Sequence, residues 1–217
     1  MGLDAAWAVA WLRTSAEVVA EHRVELITLD REIGDGDHGE NLDRGFSAIV
    51  EKLDTVADDA TPGDVLKLAA TTLISTVGGA SGPLLGTAFL KGAVVIGAQT
   101  DLDAAAVVAF LTAARDGVVL RGKAQQGDKT MIDAWTPAVE AAQAALDGGA
   151  GPAAVLAAAA EAAQAGAEAT DPLIAHKGRA SYLGERAIGH RDPGAQSSAY
   201  LIRAAADAAA AQSGADA

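Results

Sequence analysis

The sequence contains no cysteine. That excludes a disulfide framework and any thiolate metal site, and it fits a reducing compartment, so the cytoplasm is the expected location. Aromatic residues make up 4% of the chain although 50% of it is hydrophobic. Alanine supplies much of that apolar content, so the expected core is thin-walled helix packing rather than large aromatic clusters. Positive charge is scarce: 16 Lys and Arg stand against 29 Asp and Glu, a net charge of -13. That argues against nucleic acid or an anionic membrane as a partner. No stretch reads as a membrane span. The most apolar region, Ala69 to Ala98, is broken by Gly78-Gly79 and Gly82-Pro83 and carries Lys91, which suits two buried helices better. Met1-Gly2-Leu3-Asp4 lacks the basic region of an export signal, and Ala6 stands where myristoylation requires Ser or Thr. No convincing strand is present either, since Val94-Val95-Ile96 lies within a helix-length apolar segment.

What the chain does have is Asp30-Arg31-Glu32-Ile33-Gly34-Asp35-Gly36-Asp37-His38-Gly39-Glu40-Asn41. Asp30, Asp35 and Asp37 share one short glycine-rich loop. Like charges that close are tolerated only with a cation or protons among them, and carboxylates are hard oxygen donors suited to Mg²⁺ or Ca²⁺. Gly34 and Gly36 free the backbone to bend the ligands inward. The helix expected from Gly39 would aim its N-terminal amides at the same place and favour an anion. The combination points to a metal–phosphate site. Gly34-x-Gly36-x-x-Gly39 also matches the dinucleotide fingerprint, but that motif needs a preceding strand, and Ala16 to Leu29 is helical in pattern. An EF-hand counted from Asp35 would put Phe46 at the twelfth position, where Glu is required. A metal-free polar surface turn stays open on this loop alone.

The 217 residues suffice for one domain with a sizeable core, and residues 1–217 are expected to form one. Apolar spacing predicts helices over Leu3–Leu29, Gly39–Leu53, Asp64–Thr76, Leu84–Ile96, Asp103–Leu120, Met131–Leu146, Pro152–Ala169 and Ala195–Ala211. Ser213 to Ala217 should fray. The expected class is therefore all-α, a closed antiparallel bundle or barrel of about eight helices. Short connections make successive helices antiparallel, so connections alternate between two ends. The Asp/Gly loop, Gly78–Pro83, Arg121–Thr130 and Asp171–Gly194 then share one rim. The other end has the bland breaks Thr55–Thr61, Ala98–Asp101 and Gly148–Gly151.

The rim loops carry further chemistry. Gly78-Gly79-Ala80-Ser81-Gly82 would let backbone amides approach a phosphate or base, although Gly-Gly also serves as an ordinary helix stop. Gly127-Asp128-Lys129-Thr130 is no Walker A loop, because Asp128 precedes Lys129 and the leading glycine is missing. Arg121, Lys123 and Lys129 add positive charge to an acidic protein, and on their own read as a solvated turn. The segment His176 to Gly194 is too long for a simple connection. Its Arg179 and Arg186 suit phosphate recognition, while Tyr182, Leu183 and Ile188 offer apolar anchors, so it reads as a lid or as a loose insertion.

Taken together, Gly34-Asp35-Gly36-Asp37-His38-Gly39, Gly78-Gly79-Ala80-Ser81-Gly82-Pro83-Leu84, Gly127-Asp128-Lys129-Thr130-Met131, Gly178-Arg179-Ala180-Ser181-Tyr182-Leu183-Gly184-Glu185-Arg186 and Ile188 to Ala195 resemble the nucleotide-binding L subunit of dihydroxyacetone kinase. The resemblance runs through nearly the whole chain. It implies an eight-helix antiparallel barrel with ADP or ATP and two Mg²⁺ ions at one end. By that resemblance Asp30, Asp35 and Asp37 hold the metal, and His38 and Asn41 contact the phosphates or the metal shell. Gly79, Ala80 and Ser81 line the nucleotide, while Gly122, Thr130, Met131, Arg179, Asp192, Pro193 and Gly194 close around base and ribose. It implies phosphoryl transfer without a covalent intermediate, a triose held on a separate K subunit, and rephosphorylation of resident ADP by a phosphotransferase-system protein. A kinase subunit that exchanges ATP and serves another triose or tetrose is the alternative within the family. A nucleotide-sensing regulator without turnover, and a purely structural bundle, are the alternatives outside it.

Overall fold

The computed structural model describes residues 2–215, and every described secondary-structure element is helical. In chain order these are α1 (Ala5–Glu21), α2 (Arg23–Ile33), α3 (His38–Leu53), α4 (Pro62–Thr76), α5 (Ser81–Ile96), α6 (Ala104–Gly122), α7 (Ile132–Asp147), α8 (Pro152–Glu168), a 3₁₀ segment (Arg179–Ala187) and α9 (Pro193–Ala215). The expected tail Ser213–Ala217 is helical as far as Ala215, and Asp216 and Ala217 lie outside the described residues, as does Met1.

Several expected boundaries differ: α5 starts at Ser81 rather than Leu84, and α9 spans Pro193–Ala215 rather than Ala195–Ala211. The single helix Leu3–Leu29 is two helices, broken at His22, whose backbone (φ -92°, ψ 8°) leaves the helical region. His22 stacks on Tyr200 of α9 at 4.2 Å and its Nδ1 lies 2.7 Å from Glu25. The irregular stretch before α9 contains the 3₁₀ segment, itself kinked at Gly184.

Sequential helices pack side by side from α3 to α9, and α9 returns to α1 and α2, which share one place in the wall between α9 and α3. The wall is thus a closed ring of eight positions. At one end, helix starts carry ordinary side-chain caps: Asp4 accepts from Trp7 N, Thr61 and Asp64 form a reciprocal capping box, and Asp103 accepts from Ala106 N. Leu3 and Leu102 exchange two backbone hydrogen bonds of 2.9 Å at that end, the one β-bridge among the described residues.

Alanine dominates the packing of α8 and α9, where Ala159, Ala160, Ala163, Ala204, Ala205 and Ala209 are buried. The interior between α1, α5 and α6 departs from the expected absence of aromatic clusters. Trp11 stacks on Trp7 at 5.3 Å and meets Phe89 at 5.2 Å and Phe110 at 5.6 Å. Both indole N–H groups donate to carbonyls of α9, Trp7 to Ala205 at 3.0 Å and Trp11 to Leu201 at 2.8 Å. Few aromatics suffice here because four of the eight converge on one place, filling the space that small alanines leave.

Candidate functional site

The end opposite the capped helix starts gathers the connections after α2, α4, α6 and α8. Asp30, in the last turn of α2, is buried, and its Oδ2 accepts from the backbone N–H of Asp37 (2.9 Å) and of His38 (3.1 Å). One carboxylate therefore folds the loop Gly34–Asp37 back onto the start of α3. As a result, oxygens of Asp30, Asp35 and Asp37 lie within 4.8 Å of one another. Burial pushes the Asp30 carboxyl above its ordinary range; the two backbone N–H bonds oppose this, and the nearby Asp35 and Asp37 add to it. The cation facing the group is Arg179, 3.0 Å from Asp35. A set of close carboxylates, one of them buried and reluctant to ionise alone, fits a divalent cation that prefers oxygen ligands.

The N-terminus of α3 abuts this cluster, and neither α3 nor α5 has a side-chain hydrogen bond from its N-cap residue, Asp37 or Ala80. His38 is buried in the first turn of α3. Burial lowers its pKa to about 4, so the imidazole is neutral, and its Nε2 lies 2.9 Å from Ser197 Oγ of α9. Asn41, also buried, faces the α4–α5 connection, where a Cβ on Gly78 would stand 3.4 Å from its Oδ1. Gly79 has φ +67°, and Ala80 and Ser81 follow as the N-cap and first residue of α5.

On the far side, Asp192 Oδ2 accepts from Ala195 N at 2.7 Å and so caps α9, which begins at Pro193. Burial raises the Asp192 pKa to about 7, with Asp133 and Asp30 adding to the shift and Lys129 opposing it. A Cβ on Gly194 would meet Asp192 Oδ2 at 3.0 Å and Met131 at 3.5 Å, which places Met131 against the start of α9. Thr130 sits in the turn before α7, its N–H donating to Asp133 at 2.7 Å. Gly122 closes α6 and faces Leu84 of α5 at 3.1 Å from an ideal Cβ. The geometry thus brings Asp30, Asp35, Asp37, Arg179 and His38 into one cluster. It sets Asn41 against Gly78–Gly79, and Asp192 to Gly194 against Met131. Gly122 and Thr130 lie farther along the rim.

Lys129 does not belong to a solvated turn. It is 1% exposed, and its Nζ donates to the carbonyls of Thr170 (2.7 Å), Leu173 (3.2 Å) and Asp171 (3.3 Å) beyond the end of α8. Burial lowers its pKa against the pull of Asp192, Asp171 and Asp133. The lysine satisfies orphan carbonyls and cannot reach a ligand. Arg121 and Lys123 remain exposed, at the end of α6.

The segment between α8 and α9 is pinned rather than loose. Ala175, Ala180, Ala187 and Leu183 form a small separate core with Ile33 of α2. His190 Nδ1 lies 2.7 Å from Glu32, and Arg191 makes two bonds to Asp171, at 3.1 and 3.2 Å. Tyr182 points outward, 86% exposed. The sequence reading missed Arg44, which touches both Asn41 and the end of α4; its placement one turn after Asn41 was the available signal.

The DAK2 domain model matches residues 32–207. The chain is 44% identical over 209 residues to the PEP-dependent dihydroxyacetone kinase, ADP-binding subunit DhaL, of Escherichia coli (strain K12), covering 96% of this chain and 99% of that protein. It is 40% identical over 194 residues to the PTS-dependent dihydroxyacetone kinase, ADP-binding subunit DhaL, of Lactococcus lactis subsp. lactis (strain IL1403), covering 89% and 92%. The L-erythrulose 1-kinase of Mycolicibacterium smegmatis is 38% identical over 197 residues, which span 90% of this chain and 34% of that protein. Among solved structures, the dihydroxyacetone kinase from C. freundii in complex with AMP-PNP and Mg²⁺ aligns at a TM-score of 0.69 with 27% identity, over 95% of this chain and 34% of that one. Matched by the family model over most of its length, and by characterised relatives nearly end to end, the chain belongs to the DAK2 domain family.

Proposed function

We propose that this chain is the nucleotide-binding subunit of a dihydroxyacetone kinase. It would hold ADP or ATP with two Mg²⁺ ions at the rim and pass a phosphoryl group to dihydroxyacetone carried by a separate K subunit. A phosphotransferase-system protein would recharge the resident ADP. The relatives that match end to end are named as subunits of PEP- or PTS-dependent kinases, whereas the erythrulose kinase is about three times as long as the matched region. This favours the divided, protein-recharged version over an ATP-exchanging one.

The observation that carries the reading is the carboxylate cluster of Asp30, Asp35 and Asp37 at the start of α3. These side chains would hold the metal, which when bound neutralises charge on the phosphates. The chain's own part is to position and enclose. Asp30 fixes the loop through two backbone bonds. Beyond the two amides that Asp30 occupies, the start of α3, like that of α5, suits phosphate oxygens. Neutral His38 offers a ring nitrogen, with its orientation held by Ser197. Arg179, from the pinned segment, supplies a planar donor fork beside Asp35. Asp192 to Gly194 and Met131 form the adjoining wall for base and ribose.

The test is calorimetric titration of ADP with and without Mg²⁺. Asp35→Asn and Asp37→Asn preserve size and remove one charge each. Both should weaken Mg²⁺-dependent ADP binding by roughly tenfold or more, about 1.4 kcal/mol per decade, with helicity unchanged. Equal Mg²⁺-dependent affinity in parent and both variants would remove these aspartates from the site.

A further inference from the structure

We propose that Arg44 is a positioning residue of the nucleotide site, fixing the Asn41 amide so that its Nδ2 faces Gly79 and is held ready for a ligand. The inference rests on the reading above, in which Asn41 and Gly79 face the nucleotide. Arg44 follows Asn41 by one turn on α3, and its Nη2 donates to Asn41 Oδ1 at 2.6 Å. A guanidinium has five donors and no acceptor, so only the oxygen of the amide can face it. That settles an orientation which an isolated asparagine leaves open. Both amide atoms lie near Gly78, and the nitrogen is the one that faces Gly79, 4.0 Å from where a Cβ on it would stand. Asn41 is buried, and among the described residues the hydrogen bond its side chain makes is the one it accepts from Arg44. Both Nδ2 protons are left for a ligand with acceptor oxygens, such as a nucleotide phosphate.

The same guanidinium holds the other half of the site. Arg44 Nε donates to the carbonyl of Thr76 at 3.1 Å. Thr76 ends α4, whose last turn has no basic residue of its own. The Val77–Ala80 connection departs from that carbonyl, so one planar group sets α3 and the glycine loop against each other. Lysine could reach one of the two acceptors, but it lacks the fork that serves both. With no cation at this position the amide can turn over and present its oxygen to a phosphate.

Calorimetry of ADP with Mg²⁺ tests this on the parent, Arg44→Met, Arg44→Lys, Asn41→Ala and the double variant Asn41→Ala/Arg44→Met. Thermal melts would confirm that each is folded. Arg44→Met should weaken ADP binding about tenfold, and Arg44→Lys should recover part of the loss. In the Asn41→Ala background Arg44→Met should cost clearly less than in the parent, because the part that acts through the amide is gone and only the hold on the Thr76 carbonyl remains. An equal loss in both backgrounds would overturn the proposal, since Arg44 would then act on the ligand directly or through the fold. So would an Arg44→Met variant that binds ADP like the parent. A parent that binds no ADP would overturn the site reading together with this inference, an outcome distinct from the other two.

Discussion

Burial decides how the charged residues of the rim behave, and two of them give direct tests. The pKa of Asp192 rises from 3.8 to about 7 on folding. Between those values the unfolded chain has released a proton that the native state still holds, so native stability falls as pH rises from about 4 to about 7 and is level above. The raised carboxyl of Asp30 acts in the same direction. Asn in place of Asp192 can still accept from Ala195 N as a helix cap, yet it cannot ionise. Asp192→Asn should therefore flatten the fall in melting temperature between pH 4 and pH 7, a difference on the order of a few kcal/mol at neutral pH. A melting curve series with the parent's slope would show that Asp192 titrates normally. Lys129 offers the opposite case, a buried cation held by three carbonyls. Lys129→Met keeps the length and removes every donor, leaving those acceptors unpaired. The expected loss is about 2–4 kcal/mol of unfolding free energy, read as a lower urea midpoint with unchanged slope.

Between elements, the seam of α2 and α3 holds the carboxylates together. An ideal Cβ on Gly39 would run into the carbonyl of Arg23 and stand 2.9 Å from Ile27, so only hydrogen lets the helices approach this closely. Gly39→Ala should push α3 from α2 and lengthen the bonds from Asp37 N and His38 N to Asp30. The expected result is a loss of about 1–3 kcal/mol, with Mg²⁺-dependent ADP binding impaired more than the ring itself; unimpaired binding would show that the seam does not set the loop. Gly39 was visible in the sequence as the last member of a glycine pattern, but its packing reason was not. Most helices were readable because polar, Gly or Pro breaks separate apolar repeats, as at Pro62 and Pro152. The aspartate loop was readable because its members are neighbours in sequence. The break at His22 was hidden, since neither Gly nor Pro marks it and residues on both sides favour helix. The 3₁₀ segment was hidden for another reason: its small core borrows Ile33, which lies far upstream in α2. Lys129 misled because a lysine in a turn is ordinarily solvated, and the carbonyls that bury it come from beyond α8, far along the chain.

On the scale of the whole molecule, the antiparallel ring presents helix starts and helix ends alternately around the rim. The starts of α3, α5, α7 and α9 favour an anion, and the ends of α2, α4, α6 and α8 oppose one. Each opposing end has a cation: Arg31 and Arg121 lie in the last turns of α2 and α6, Arg44 bonds the last carbonyl of α4, and Lys129 bonds those beyond α8. The carboxylates of Asp30, Asp35, Asp37 and Asp192 share that rim, so a protein of net charge -13 would favour an anion there once a metal offsets them, and the capped end opposite has, among the described residues, no comparable carboxylate cluster. On the proposed function the nucleotide's terminal phosphate would face outward, toward a protein that brings the substrate and excludes water from the transfer. The chain alone should therefore bind ADP with Mg²⁺ yet phosphorylate no free dihydroxyacetone at a useful rate, and the cognate K subunit should switch transfer on. Arg121 and Lys123 are exposed at the end of α6, so Arg121→Glu and Lys123→Glu should weaken transfer to the K subunit about tenfold while ADP affinity stays within about twofold. Coupled assays of triose phosphate formation, with and without the K subunit, decide the matter. Rapid phosphorylation of free dihydroxyacetone by the isolated chain would end the divided mechanism even with every metal and nucleotide ligand correctly placed.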